Sequence, residues 1–276
     1  MLRKRIISSV WITSLVIAAI WFGDPGYTIL MAIVGILAVL ELYKMLAGIK
    51  IQPLTYFGII FALLFILSGN KDLLLLISPN FNINLITPLL IISTMAIPLL
   101  WLLRHARRED VFTRWAWTVA GIFYVGWLLS HLVALRGFED GRNWVFFVVI
   151  TTFSSDTFAF FIGRALGQHH LAPRISPGKT WEGAIGGVGA AVIISLVFIL
   201  PTPFSLHLSY GQAIPLAILV SIFGQLGDLF ESFLKRTTGV KDSGTLIPGH
   251  GGILDRLDSI IFAGLVVYLY VLLVIT

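Results

Sequence analysis

Residues 232–258 read SFLKRTTGVKDSGTLIPGHGGILDRLD, and the chain on either side of them is strongly apolar. In a chain that is 57% hydrophobic and 12% charged, this stretch alone holds Lys235, Arg236, Lys241, Asp242, Asp255, Arg256 and Asp258. The residue types spell a helix, a loop and a second helix. Asp228 and Glu231 lead an apolar run into the basic pair Lys235 and Arg236; Gly239, Gly244, Pro248, Gly249, Gly251 and Gly252 then break it, and a second apolar helix opens with Asp255 and Asp258. Glycines let backbone amides approach a phosphate, lysines and arginines neutralise it, and carboxylates are hard oxygen ligands suited to Mg²⁺. A merely solvated loop has no reason to place carboxylates just inside apolar helices on both sides.

The flanking runs decide the fold class. A mean hydropathy of +0.94 and repeated apolar runs of about twenty residues describe an all-α fold, a polytopic transmembrane helical bundle of about nine spans. The spans fall near Met1–Phe22, Tyr27–Leu46, Pro53–Ser68, Leu85–Leu103, Trp115–Leu135, Trp144–Gly163, Gly183–Leu200, Ala213–Leu234 and Leu257–Ile275. The first begins with Arg3, Lys4 and Arg5 and lacks a small-x-small cleavage site, so it reads as a retained helix. Leu73–Asn84 is short and interrupted by Pro79, as in a re-entrant or interfacial piece. One integral membrane domain, 1–276, accounts for the length: a first part, 1–143, with no motif, and a catalytic half, 144–276, with polar loops at 164–182 and 235–256. Zero cysteines exclude disulfides, thiolate metal sites and a cysteine nucleophile.

Of the 19 Lys and Arg, all but Lys71, Arg136 and Arg142 fall on one set of alternate loops. This asymmetry predicts a cytoplasmic N-terminus, a C-terminus outside, and a cytoplasmic 232–258 stretch, where nucleoside triphosphates are found. The net charge of +5 suits anionic lipid head groups or an anionic nucleotide, and insertion signals alone also produce it.

A second constellation lies upstream. Asp156 sits deep in the sixth span, where a carboxylate is costly unless it faces a polar cavity or a partner, so a functional role is expected. Glu41 in the second span raises the same question with no motif around it, and a structural role is favoured there. Residues 164–182, RALGQHHLAPRISPGKTWE, form the other long basic loop, whose Ser176, Lys179 and Thr180 suit phosphate. It is no P-loop, since the upstream glycine would fall at Pro173. His169 and His170 have no third ligand at zinc spacing, and Gly183, Gly186, Gly187 and Gly189 read as helix-packing positions.

The run Ser-x-apolar-Lys-Arg, four residues, Lys-Asp-x-Gly, then Ile247-Pro248-x-His250-Gly251-Gly252-Ile253-x-Asp255-Arg256-Leu257-Asp258 resembles the signature of the phosphatidate cytidylyltransferases. Residues 176–183 resemble the same family's Ser-Pro-x-Lys-Thr-x-Glu-Gly element, with Gly178 where many relatives have a second basic residue. The resemblance covers roughly Asp156 to Asp258.

It implies transfer of the cytidylyl group of CTP to phosphatidate, releasing pyrophosphate, for phospholipid synthesis in a bacterial plasma membrane. Partners would be phosphatidate, CTP and membrane lipid, without nucleic acid, and two copies could pair as a homodimer. Asp228, Lys235, Arg236, Lys241, Asp255 and Asp258 would be catalytic, with Mg²⁺ on Asp228 and Asp255 and room for a second cation. Ser176, Lys179, Thr180, Asp156, Asp242, His250, Gly251, Gly252 and Arg256 would bind nucleotide or phosphate, with Arg256 open between pairing with Asp258 and reaching the lipid phosphate. Two other readings stay open: a CTP-dependent lipid kinase, and a secondary transporter, in which buried carboxylates and glycine-broken helices are equally natural. A CDP-alcohol phosphotransferase is excluded, because its final aspartates are four apart and residue 259 is serine.

Overall fold

The structure is a computed structural model and describes residues 2–77, 82–247, 249 and 251–275. Pro79, Pro248 and His250 lie outside the described residues. Eleven α-helices are described: α1 Leu2–Phe22, α2 Gly26–Gly48, α3 Thr55–Ser68, α4 Lys71–Ile77, α5 Ile86–His105, α6 Arg108–Gly121, α7 Leu128–Arg136, α8 Gly141–Leu166, α9 Trp181–Val197, α10 Tyr210–Thr237 and α11 Leu254–Tyr270. The π-helical residues Ile122–Trp127 make α6 and α7 one continuous rod, and Val271–Ile275 extend α11 in the same way. The only strands among the described residues, β1 (His170–Ala172) and β2 (Ser176–Thr180), pair antiparallel with His170 opposite Thr180. The expected all-α fold therefore carries one small hairpin, inside the basic 164–182 loop.

This is a helical integral membrane protein. Among the described residues six helical stretches are long and apolar enough to cross a bilayer: Gly26–Gly48, Ile86–His105, Arg108–Arg136, Gly141–Leu166, Tyr210–Thr237 and Leu254–Ile275. Helices α3 and α4 meet at a 99° bend and together pass the same test. Alone, the 14 residues of α3 rise only about 21 Å, short of a hydrocarbon core of about 30 Å. Helix α9, with 17 residues, is also short. Large apolar side chains that would be unusual on a water-facing surface stay exposed, among them Ile33, Ile92, Leu100, Phe153, Phe160 and Ile193, as lipid contact requires.

The chain divides into two compact units, Met1–Gly137 with Thr238–Asp255, and Phe138–Thr237 with Arg256–Thr276. In the first, α2 buries Gly35, Ala38, Val39, Leu42, Tyr43 and Leu46, the three- and four-residue spacing of one helix face. Tyr43 donates its hydroxyl to the Thr118 carbonyl at 2.6 Å, and Gly58 and Gly121 leave room for its ring, since a Cβ at either would collide with it. In the second unit α8 and α9 approach along glycines. A Cβ at Gly183 would lie 2.5 Å from the Ala159 carbonyl oxygen, one at Gly187 would lie 2.9 Å from that of Ser155, and one at Gly186 would strike Ile162. Those three are packing positions, as expected. Gly189 is not, because nothing lies within 4 Å of its Cβ position. The close approach matters because it sets α8, which carries Asp156, beside the hairpin and α9.

Candidate active site

Within the second unit, α10 carries Gln225, Asp228, Glu231, Ser232 and Lys235 at helical spacing, so one stripe of the helix is polar. Asp228 Oδ2 pairs with Lys179 Nζ of β2 at 2.7 Å, and Ser232 Oγ donates to Asp228 Oδ1 at 3.3 Å. One turn along, Lys235 Nζ pairs at 2.5 Å with Glu231, whose side chain is fully buried. Arg236 Nε donates to the Ile175 carbonyl at 3.4 Å, tying the end of α10 to the hairpin. The two basic elements read from the sequence, Lys179 and the Lys235–Arg236 pair, thus belong to one cluster.

Asp156 of α8 accepts a hydrogen bond from the Ser259 side chain and has Asp228 and Lys179 as charged neighbours. Asp258 of α11 accepts from the Ser259 amide at 2.7 Å, and its charged neighbours are Asp228, Asp156 and Lys235. Three helices and β2 therefore bring three carboxylates and two lysines into one electrostatic cluster. Below Asp156 the polar line continues inward: Ser155 and Ser221 share a hydrogen bond at 2.7 Å, and Gln225 donates to the Ser221 hydroxyl at 3.0 Å.

The hairpin is fixed at its base. Thr180, expected to touch phosphate, accepts from the Gly183 amide at 3.1 Å and so caps α9. His169 Nδ1 lies 2.6 Å from Glu182 Oε1 at the exposed start of α9, and this hydrogen bond holds the Glu182 carboxyl down at about 2. Ser176 opens β2 opposite Ala172. Gly178 has open space around its Cβ position.

The first unit holds the signature's glycine loop and Asp255. Asp255 Oδ2 accepts from the Ser243 amide at 2.9 Å, the Ser243 hydroxyl at 2.9 Å and the Gly252 amide at 2.8 Å. Gly251 takes φ +84°, a conformation that favours glycine, and a Cβ there would lie 2.6 Å from Asp255 Oδ2. Asp255, expected to hold metal with Asp228, spends that oxygen on its own loop. Glu41 of α2 joins the same loop, accepting from the amides of Ile253 at 3.0 Å and Leu254 at 2.9 Å and from the Ser243 hydroxyl at 3.1 Å. The Gly252 amide, expected to face phosphate, thus donates to a carboxylate. Lys241 and Asp242 are exposed on the loop, and so is Arg256 at the start of α11.

The donor chemistry suits a hard cation. Asp156, Asp228 and Asp258 supply carboxylate oxygen, and Ser259 a hydroxyl. Among the described residues no three acidic or histidine side chains converge as a closed cage. Mg²⁺ is commonly held by one or two carboxylates, with substrate phosphates and water completing its shell, and an open set of this kind fits that habit.

Sequence reasoning noticed Glu41 without seeing what it touches. The only signal was a carboxylate inside an apolar span, and its partners lie 202 to 213 residues away. Ser243 carried no signal of its own.

A profile of the cytidylyltransferase family matches residues 3–274. A phosphatidate cytidylyltransferase of Brucella abortus is 35% identical over 277 residues, covering 98% of this chain and 93% of that protein. One of Bacillus subtilis is 31% identical over 274 residues, covering 99% and 97%. One of Staphylococcus haemolyticus is 43% identical over 147 residues, 53% of this chain and 55% of its own length. The resemblance read from motifs stopped at roughly Asp156 to Asp258; these matches extend it through the first five apolar segments as well. With the profile and two relatives matching it almost end to end, this chain belongs to the cytidylyltransferase family.

Proposed function

We propose that the chain transfers the cytidylyl group of CTP to phosphatidate, giving CDP-diacylglycerol and pyrophosphate, at a site facing the cytoplasm of a bacterial plasma membrane. The observation that carries this reading is the match along nearly the whole chain to proteins named for that reaction. The cluster around Asp228 supports it, because a reaction between two anions needs cations and fixed dipoles more than an acid or a base.

A phosphate oxygen of phosphatidate attacks the α-phosphorus of CTP. The bond from that phosphorus to the α,β-bridging oxygen breaks, and its electron pair leaves with pyrophosphate. Lys179 stands in an ion pair with Asp228 and exchanges this carboxylate for phosphate oxygens when substrate arrives, while Lys235 adds phosphate charge from its pair with the buried Glu231. Lys179 and Asp228 are 23% and 32% exposed, so their pair contributes roughly 1 kcal/mol or less, which a triphosphate can outbid. Arg236 and Lys241 add phosphate charge. Bound Mg²⁺, held by Asp228 with Asp156 and Asp258 beside it, would neutralise the attacked phosphate and the leaving group. Asp255 serves by fixing its loop.

With phosphatidate, Mg²⁺ and CTP labelled separately at the α and γ positions, the purified protein should move only α label into lipid, with inversion at phosphorus. Lipid labelled from the γ position alone makes it a kinase, and retention points to a cytidylyl-enzyme. The apolar runs support nine crossings, and the lysine and arginine asymmetry supports an N-terminus inside and a C-terminus outside. Cysteines placed at Gly48, Arg107, His169 and Thr245 should then resist an impermeant reagent added outside, and ones at Pro25, Glu139 and Ser205 should react. Labelling of Thr245→Cys from outside would overturn the cytoplasmic assignment.

A further inference from the structure

Glu41 is a carboxylate in a transmembrane helix, 6% exposed, with no part in the cluster around Asp228. A charge so buried needs several donors, and Glu41 has three, all from residues 243–254. Two are the amides of Ile253 and Leu254 at the start of α11, whose N-terminal N–H groups have no intrahelical acceptor. The third is the Ser243 hydroxyl, which lies at 3.1 Å from Glu41 and 2.9 Å from Asp255 and has a single proton to give to the two.

The glycines of this loop are shaped around the same carboxylates. The three nearest atoms to a Cβ at Gly244 would all be Glu41 side-chain atoms, with Cδ at 2.8 Å and Cγ at 3.1 Å. A Cβ at Gly252 would strike the Ser243 hydroxyl and Glu41, with Glu41 Cδ at 2.7 Å. Neither glycine has a positive φ, so neither is required by backbone conformation. At both positions the Glu41 carboxylate fills the space that a Cβ would take.

We infer that Glu41 is a positioning residue for the transfer reaction, acting as the interior post on which the 241–255 loop, with its Lys241 and Asp255, is fixed for the nucleotide. This rests on the nucleotidyl-transfer reading, and it adds a residue of α2 that acts through the loop. Because Glu41 acts through a loop assigned to nucleotide phosphate, its loss should weaken CTP handling and spare phosphatidate binding.

The test is a double-mutant cycle on the full-length protein in phosphatidate-containing micelles with Mg²⁺ and α-labelled CTP. Wild type must label lipid; if it does not, the transfer reading fails whatever Glu41 does. Glu41→Ala should raise KM for CTP about tenfold and leave KM for phosphatidate within twofold. Gly244→Ala should lower kcat/KM for CTP about tenfold in the wild-type background and by less than twofold in Glu41→Ala, where the obstructing atoms are gone. An equal penalty in both backgrounds, or a Glu41→Ala enzyme with both KM values unchanged, overturns the inference. Should Glu41→Ala fail to purify, Glu41→Gln decides: it keeps the size but presents an NH₂ where an amide donor now points. It should raise KM for CTP and speed trypsin cleavage after Lys241, and wild-type behaviour in both overturns the inference.

Discussion

Glu41 and Asp255 of the first unit and Asp228 and Glu231 of the second are held by opposite means. Around Glu41 and Asp255 every described partner is a backbone amide or a hydroxyl, fixed to the chain within a dozen residues of Asp255. Around Asp228 and Glu231 the closest partners are lysine ammoniums on flexible stems. A carboxylate held by loop amides and a hydroxyl cannot exchange its donors without moving the loop, whereas a partly exposed one paired with lysine, as Asp228 is, can give up its cation to an incoming phosphate. The first arrangement builds shape and the second stores charge.

Substitutions can break this comparison. The largest effect is expected at Asp228→Asn, which keeps shape and removes charge: turnover should fall by about 10²–10³-fold or more. Its thermal midpoint in detergent should stay near wild type, because a partly exposed ion pair contributes little net stability. A stability loss as large as the activity loss would put Asp228 with the shape-building group. A smaller catalytic effect and a larger structural one are expected at Ser243→Ala, which deletes the hydroxyl between Glu41 and Asp255. Hydrogen bonds to charged groups are worth about 1.5–3 kcal/mol, so the thermal midpoint should drop visibly while turnover falls roughly tenfold. An unchanged midpoint with abolished turnover would make Ser243 part of the chemistry instead.

Much of this was legible in the chain and some of it was not, for physical reasons. The helices were, because apolar runs of about twenty residues have few other ways to satisfy their backbone. Lys179 and Asp228 could each be picked out by type and setting; that they pair, 49 residues apart, could not, since the turn of a β-hairpin decides it. The glycines of the 239–252 loop could be seen to matter, but that Glu41 fills the space beside Gly244 and Gly252 could not. Space for a phosphate and space for a carboxylate leave the same mark in a sequence, and only the side chain that fills the space tells them apart. That side chain belongs to Glu41, which sits among apolar neighbours and has no local motif to announce it.

The separation also has a meaning for how the protein is made. Leu254, which provides the last of Glu41's three donors, is synthesised 213 residues after it. At about 5–20 residues per second, a ribosome takes on the order of ten to forty seconds to cover that distance. Throughout that interval α2 carries an acidic side chain whose hydrogen-bond donors do not yet exist, and a carboxylate at the centre of a membrane helix costs about 2.5–3.5 kcal/mol to insert. Packing around Tyr43, between α2 and the later α3 and α6, can form before the end of the chain supplies those donors.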